Sequence, residues 1–248
     1  MKILKYKKLS NGRYKLELDD GRELQLYEEV ILKYELLLTG EITSANIDSI
    51  NAYNNELDVY YTALKSLKSR FRSSYELKKL LLLKQYPSNY VEKAISKLEK
   101  QGYLNDRSFA RSYINNQIIT SSKGPNRIIR DLMDKGVDKK IIEEEICLID
   151  EQLQLERINK IIMQSLKSNR NKGGMVLKNK IITNLINSGY SYEVINKTIG
   201  DYDFFNNEDI AKREYDKLYK RLSKKYSGVE LEYKIKEKLY QKGLKFEK

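Results

Sequence analysis

The chain has 248 residues (29.2 kDa), 33% of them charged and 40% apolar, with a formal net charge of +12. It has no histidine and one cysteine, Cys147, which excludes an intrachain disulfide, a thiolate zinc site and histidine acid–base chemistry. No apolar run approaches the roughly 18–20 residues of a membrane span, and lysines interrupt Met1–Lys8 too often for a secretory signal, so a cytoplasmic location is expected.

Residues 2–27 read as a small β-meander. Ile3–Lys8 and Arg13–Leu18 flank Ser10-Asn11-Gly12, a strong hairpin signal, and Asp19-Asp20-Gly21 turns the chain into Arg22–Tyr27. Tyr14, Leu16, Leu18, Leu24 and Leu26 alternate with polar residues, so one face is buried. A helix over Glu28–Leu38 is expected to cover it with Val30, Ile31, Tyr34, Leu37 and Leu38, ending at Gly40. From Thr43 onward the periodicity is helical. A connecting helix carries Ile47 and Ile50, and Ala63, Leu64, Leu67 and Phe71 then recur at helical spacing. Ser73-Ser-Tyr-Glu76 has the form of a capping box before Leu77, Leu80 and Leu81, and Pro87-Ser88 opens a third helix ending near Gly102.

The same plan returns. Asp106 is expected to cap a helix carrying Phe109, Ala110, Tyr113, Ile114 and Ile118. Gly124-Pro125 opens the next, Gly136 closes it, and Asp138 caps a third. Within that third helix Cys147 is expected to be buried, and Tyr103, Tyr113 and Tyr190 are expected to pack in cores. A further copy runs through Ile158, Ile162, a basic loop at residues 168–174, Ile181, Leu185, Gly189, Ile195 and Ile199. A partial one runs through Ile210, Leu218, Leu231, Ile235, Leu239 and Gly243.

The period is fixed by Gly136, Gly189 and Gly243, spaced 53 and 54 residues apart, each closing a helix. Gln85 stands in the corresponding slot 51 residues before Gly136, where it lacks the residue best suited to a left-handed cap, so that turn is expected to differ. Self-similarity at this period predicts a mainly α protein of tandem three-helix repeats forming an elongated, curved array, with a small N-terminal β-meander plus helix. The divisions are 1–58 for the β-containing piece, 59–106, 107–150 and 151–204 for three-helix repeats, and 205–248 for a partial terminal repeat.

Such arrays offer a long surface to a polymer, and the charge fits that use. Residues 1–58 hold 8 Lys/Arg against 11 Asp/Glu, whereas the remainder holds 39 against 24. A basic body attracts a polyanion or an acidic protein surface, set against the plainer role of keeping a lysine-rich chain soluble. Basic residues recur near the start of each middle helix: Arg70 and Arg72; Lys123, Arg127 and Arg130; Arg170, Lys172, Lys178 and Lys180; Lys224 and Lys225. These are the candidate binding residues. No catalytic constellation, cofactor loop or metal-ligand set is found. Gly173-Gly174 lacks the strand and spacing of a phosphate loop, and carboxylate runs such as Glu143–Glu145 read as solvated faces.

Arg70-Phe-Arg-Ser-Ser-Tyr-Glu-Leu77, followed by Gly102-Tyr-Leu-Asn-Asp-Arg-Ser-Phe-Ala110 and by Lys123-Gly-Pro125 leading to Lys135-Gly-Val137, resembles the recurring pattern of the RecX family over about residues 60–205. The resemblance implies a non-enzymatic, monomeric regulator of homologous recombination, DNA repair and the SOS response. It would need no cofactor, bind along the groove of the RecA–DNA filament, and inhibit RecA ATPase and strand exchange. It also implies sequence-independent binding to single- and double-stranded DNA, with no membrane partner. A different class, a helix-turn-helix DNA-binding regulator, requires a base-reading helix start. The helices after Gly136 and Gly189 begin with Asp138-Lys-Lys and Ser191-Tyr-Glu, poor material for a major groove. A third, a magnesium-dependent nuclease, would rest only on the carboxylate runs.

Overall fold

Alternation in the first 27 residues dictates a sheet with one greasy face. In the computed structural model, which describes residues 1–9, 12–169, 173–202, 204 and 208–245, strands β1 (Ile3–Lys8), β2 (Arg13–Leu18) and β3 (Glu23–Tyr27) pair antiparallel in the order β1-β2-β3. Tyr6, Leu16 and Leu24 stand opposite one another and so share a face. Ser10 and Asn11 of the expected hairpin turn lie outside the described residues. Leu16, Leu18 and Leu26 bury against Val30 and Ile31 of α1 (Glu28–Lys33) and Ile50 and Leu57 of α3 (Ile47–Ser69).

The helix expected over residues 28–38 is broken. Glu35 takes a left-handed conformation (φ 50°), so the chain restarts as α2 (Leu36–Thr39). The break shifts the helical phase: Leu36 is buried, whereas Leu37 and Leu38 are exposed. Helix α3 is continuous through residue 58. Its early residues belong to the sheet's core, and its later ones (Val59, Tyr60, Ala63) join Leu77 and Leu81 of α4 (Ser74–Leu83) and Val91, Ala94 and Leu98 of α5 (Ser88–Lys100). The capping box forms as the sequence predicts, Ser73 Oγ accepting from the Glu76 amide and Glu76 reaching back to the Ser73 amide.

Helices then follow in order: α6 (Asp106–Thr120), α7 (Pro125–Asp134), α8 (Lys139–Glu145), α9 (Glu151–Ser168), α10 (Gly174–Asn187), α11 (Tyr192–Ile199), α12 (Glu208–Leu222) and α13 (Gly228–Gln241). The fold is thus mainly α, in successive helical triplets behind a three-stranded sheet. Ile158, Ile162, Leu177, Ile181, Leu185, Ile195 and Ile199 make one core, and Leu218, Leu222, Leu231, Ile235 and Leu239 another. Side chains of Asp138, Asp150 and Ser191 cap the helices they precede. Two compact units result, residues 1–109 with 135–137, and residues 110–134 with 138–248.

Three expectations are corrected. Asn105, not Asp106, caps α6, its Oδ1 accepting from the Ser108 amide, while the Asp106 carboxylate accepts from the Ser74 amide at 2.7 Å. Cys147 is exposed, because α8 tightens into a 3₁₀ turn over Ile146–Leu148 that leaves Glu145 and Ile149 facing inward. Tyr103 is also exposed; Leu104 takes the core position beside it, whereas Tyr190 is buried and Tyr113 half-buried.

The periodic glycines act as contact points. The Gly136 turn sits on the start of α4: Ser73 Oγ donates to Lys135 O at 2.6 Å, and a Cβ on Gly136 would collide with Tyr75. The Gly189 turn sits on the start of α7. There the Gly124 amide donates to Ser188 O at 2.7 Å, and a Cβ on Gly189 would lie 2.5 Å from the Arg127 nitrogen. The Gly243 turn sits on the start of α10, with the Gly173 amide donating to Lys242 O at 3.0 Å and a Cβ on Gly243 colliding with Gly173 O. Gln85, expected to differ, adopts the same left-handed backbone (φ 64°) as Gly136 (71°) and Gly243 (73°).

Conformation and contact are separable by mutation. Gly102 has φ 75° with open space around it, so Gly102→Ala should cost only the left-handed penalty, about 1–2 kcal/mol. Gly189→Ala should cost that plus about 1–3 kcal/mol of overpacking. Equal losses in urea unfolding would refute the collision at Gly189.

Candidate polyanion-binding surface

The loop between α3 and α4 carries Arg70 and Arg72. Arg70 is exposed and stands 3.6 Å from Glu76, which also takes the Lys135 ammonium at 2.9 Å. Arg72 is half-buried, and its Nε finds no hydrogen-bond partner. Burial, with neighbouring Arg70, holds its guanidinium below the ordinary value, far from any loss of charge near neutral pH.

In the second unit the α6–α7 loop is fixed from outside. The Arg157 guanidinium, projecting from α9, donates to the carbonyls of Ile118, Ser121 and Lys123 and to the Tyr190 hydroxyl. That clamp presents Lys123, whose ammonium meets Asp131 at 2.6 Å. Arg127 approaches the same carboxylate at 3.5 Å, one helical turn away, and Tyr113 donates to it at 3.0 Å. Arg130, adjacent in sequence, faces solvent.

The remaining cations are more dispersed. Lys178 is half-buried on α10, and Lys180 donates to Asn169 at 2.6 Å. Lys224 and Lys225 are exposed in the turn after α12. Arg170 and Lys172 lie outside the described residues. The structure therefore joins Lys123 to Arg127 through Asp131 and places Arg70 beside Arg72. Nothing described links Arg130, Lys178, Lys180, Lys224 or Lys225 to those groups.

Sequence reasoning missed the carboxylates that organise these cations. Glu214, buried on α12, holds Lys242 at 2.6 Å and Lys217 at 3.0 Å, and Glu145 holds Arg111 at 2.8 Å. Lys135 and Lys242 both immediately precede a turn glycine, a regularity visible in the sequence. Arg157 carried no such signal.

At Glu76 and Asp131 burial pushes the carboxyl up, but Lys135 and Lys123 with their neighbours outweigh it; at Glu214 the Lys242 hydrogen bond dominates. All three are held below the ordinary carboxylate range. A depressed folded-state value means stabilisation present at neutral pH and lost as pH falls from about 5 through the folded value. Urea midpoints should therefore drop between about pH 5 and pH 3, and Asp131→Asn should show a shallower drop than the unaltered chain. Parallel pH profiles would remove Asp131 from the account.

This is the architecture of a tandem helical-repeat protein, with cations set at helix starts. No helix among the described residues is long and apolar enough to cross a membrane. Residues 105–145 match the family model described as RecX, second three-helix domain. The chain is 31% identical over 257 residues to "Regulatory protein RecX" of Streptococcus sanguinis (strain SK36), covering 99% of this chain and 96% of that one. It is 30% identical over 239 residues to the protein of that name from Listeria innocua, covering 95% and 88%. A solved structure titled "Crystal structure of regulatory protein RecX" superposes with a TM-score of 0.70 at 25% identity, over 81% of this chain and all of that one. RecX from Lactobacillus salivarius gives 0.57 at 28% identity, over 60% and 97%. The chain belongs to the RecX family. Its relatives are named as regulatory proteins, not as enzymes.

Proposed function

We propose that this protein regulates homologous recombination and DNA repair by binding along the groove of the RecA–DNA filament and inhibiting RecA ATPase and strand exchange, without catalysis of its own. The observation that carries this reading is a repeated cation at a repeated structural position. Arg72 immediately precedes Ser73 and Lys123 immediately precedes Gly124, two of the three residues that donate to the carbonyl of a docked turn. Each contact thus fixes a positive side chain next to a rigid helix start. Family membership supplies RecA as the partner, and the net charge of +12 supports direct, sequence-independent contact with DNA. The protein acts in the cytoplasm as a monomer needing no cofactor, its repeats divided at residues 59–106, 107–150 and 151–204, with a partial one to follow.

Groove binding would resist the subunit rearrangements that strand exchange and ATP turnover require. The helix-turn-helix alternative gains no support. Asp138 and Ser191, at the starts of its recognition helices, are engaged in capping the Lys140 and Val194 amides.

Charge reversal at Arg70, Lys123, Arg127 and Arg130 should weaken inhibition of RecA's DNA-dependent ATPase at least tenfold while leaving helicity unchanged. The same variant should bind single-stranded DNA with a shallower salt dependence, each lost phosphate contact reducing the log–log slope by about 0.7. Unaltered inhibition by a folded variant would refute this placement of the surface.

A further inference from the structure

Three turns of this chain dock on three helix starts, and one more turn and one more helix start share their geometry without docking. The turn after α4 repeats the layout of the docked ones, Lys84-Gln85 against Lys135-Gly136 and Lys242-Gly243, with the same left-handed backbone. It is exposed, the Gln85 amide bonding only back to Leu82 O.

The start of α13 copies the start of α10. In each, an extended cap residue (Gly173 φ −149°, Ser227 φ −138°) precedes a left-handed glycine (Gly174 φ 53°, Gly228 φ 56°). At α10 this backbone receives the Gly243 turn. At α13 the Ser227 side chain caps nothing, Gly228 has open space around it, and Val229 is 88% exposed. Among the described residues no turn sits there.

At the three docked turns the approach is closer than any Cβ allows. Gln85 carries a Cβ and a long side chain at the equivalent point. We infer that the contact surface formed by the Gln85 turn and the start of α13 fits a second copy of this chain, head to tail, and that Gln85 is the residue that prevents the union. The occupant is argued from continuity with the three contacts already present: in each, a turn sits on the start of the preceding middle helix, and the first turn of another copy is the next in that series. A heterologous contact of this kind leaves one turn and one helix start unfilled at the ends of each pair, so a chain able to make it would grow past the dimer, into rings or open chains. With Gln85 in place, molecules bound to a shared polymer gain nothing from one another through this surface. This inference stands apart from the reading of the cations.

The test is Gln85→Gly in the full chain, followed by sedimentation equilibrium across the micromolar range. The substitution relieves a left-handed non-glycine residue at an exposed site, so it should raise the urea midpoint, which also verifies folding. The unaltered chain should keep one mass. Gln85→Gly should show a mass that climbs past the dimer with concentration, and adding Val229→Arg at the α13 start should restore the single mass. The inference is overturned if Gln85→Gly keeps the monomer mass throughout, if Val229→Arg leaves its association unchanged, or if the unaltered chain already associates in a way that Val229→Arg abolishes.

Discussion

Close approach of a glycine turn to the start of another helix, made three times, is the constraint from which the rest follows. A left-handed turn after a helix is a common ending, and the conformational preference alone would be satisfied by many glycines and, at Gln85, by a residue without the dispensation. What Gly136, Gly189 and Gly243 add is contact. Each lets a turn carbonyl reach a donor at the start of another helix, satisfying one of the amides or hydroxyls that a helix start presents. Gly124 shares the constraint from the other side, since a Cβ there would lie 2.6 Å from the Gly189 backbone.

The cations are consequences of that arrangement. Arg72 and Lys123 each stand next to a docking donor, and the loop carrying Lys123 is held further by the four donations of Arg157. Partly buried carboxylates then set the cations' directions: Glu76 for Arg70 and Lys135, Asp131 for Lys123 and Arg127. Pairs of this kind contribute modestly to stability where solvent screens them. Their larger effect is order, because a lysine held to a carboxylate has fewer conformations to lose when it meets a phosphate.

Much of the fold was legible in the sequence because helical periodicity and capping chemistry are local. The Ser73–Glu76 box, Pro125 at a helix start and Gly136 at a helix end each declare an element boundary with side chains a few residues apart. Where the reading failed, a single backbone angle or a long-range bond decided. Glu35 turns left-handed and rotates Leu37 and Leu38 to solvent. A 3₁₀ turn rotates Cys147 outward. Asp106 looks like a cap but serves the start of α4, 32 residues earlier, while Asn105 caps α6. In the candidate surface, the positions of the cations were visible but their carboxylate partners were not. The Lys123–Asp131 contact spans two turns of chain, and Lys242–Glu214 spans 28 residues with no repeating spacing to reveal it.

By itself, then, the order of residues determined the helical triplets, the front sheet, the absence of histidine and disulfide chemistry, and the positive body. All of these depend on composition or on neighbours within a helical turn or a hairpin. Tertiary structure alone decided why the glycines recur where they do, which cations are shared by one carboxylate, and why Gln85 can stand in a glycine's place. Those properties depend on how closely two distant segments meet, and a glycine's recurrence along a chain does not say which other segment its turn approaches.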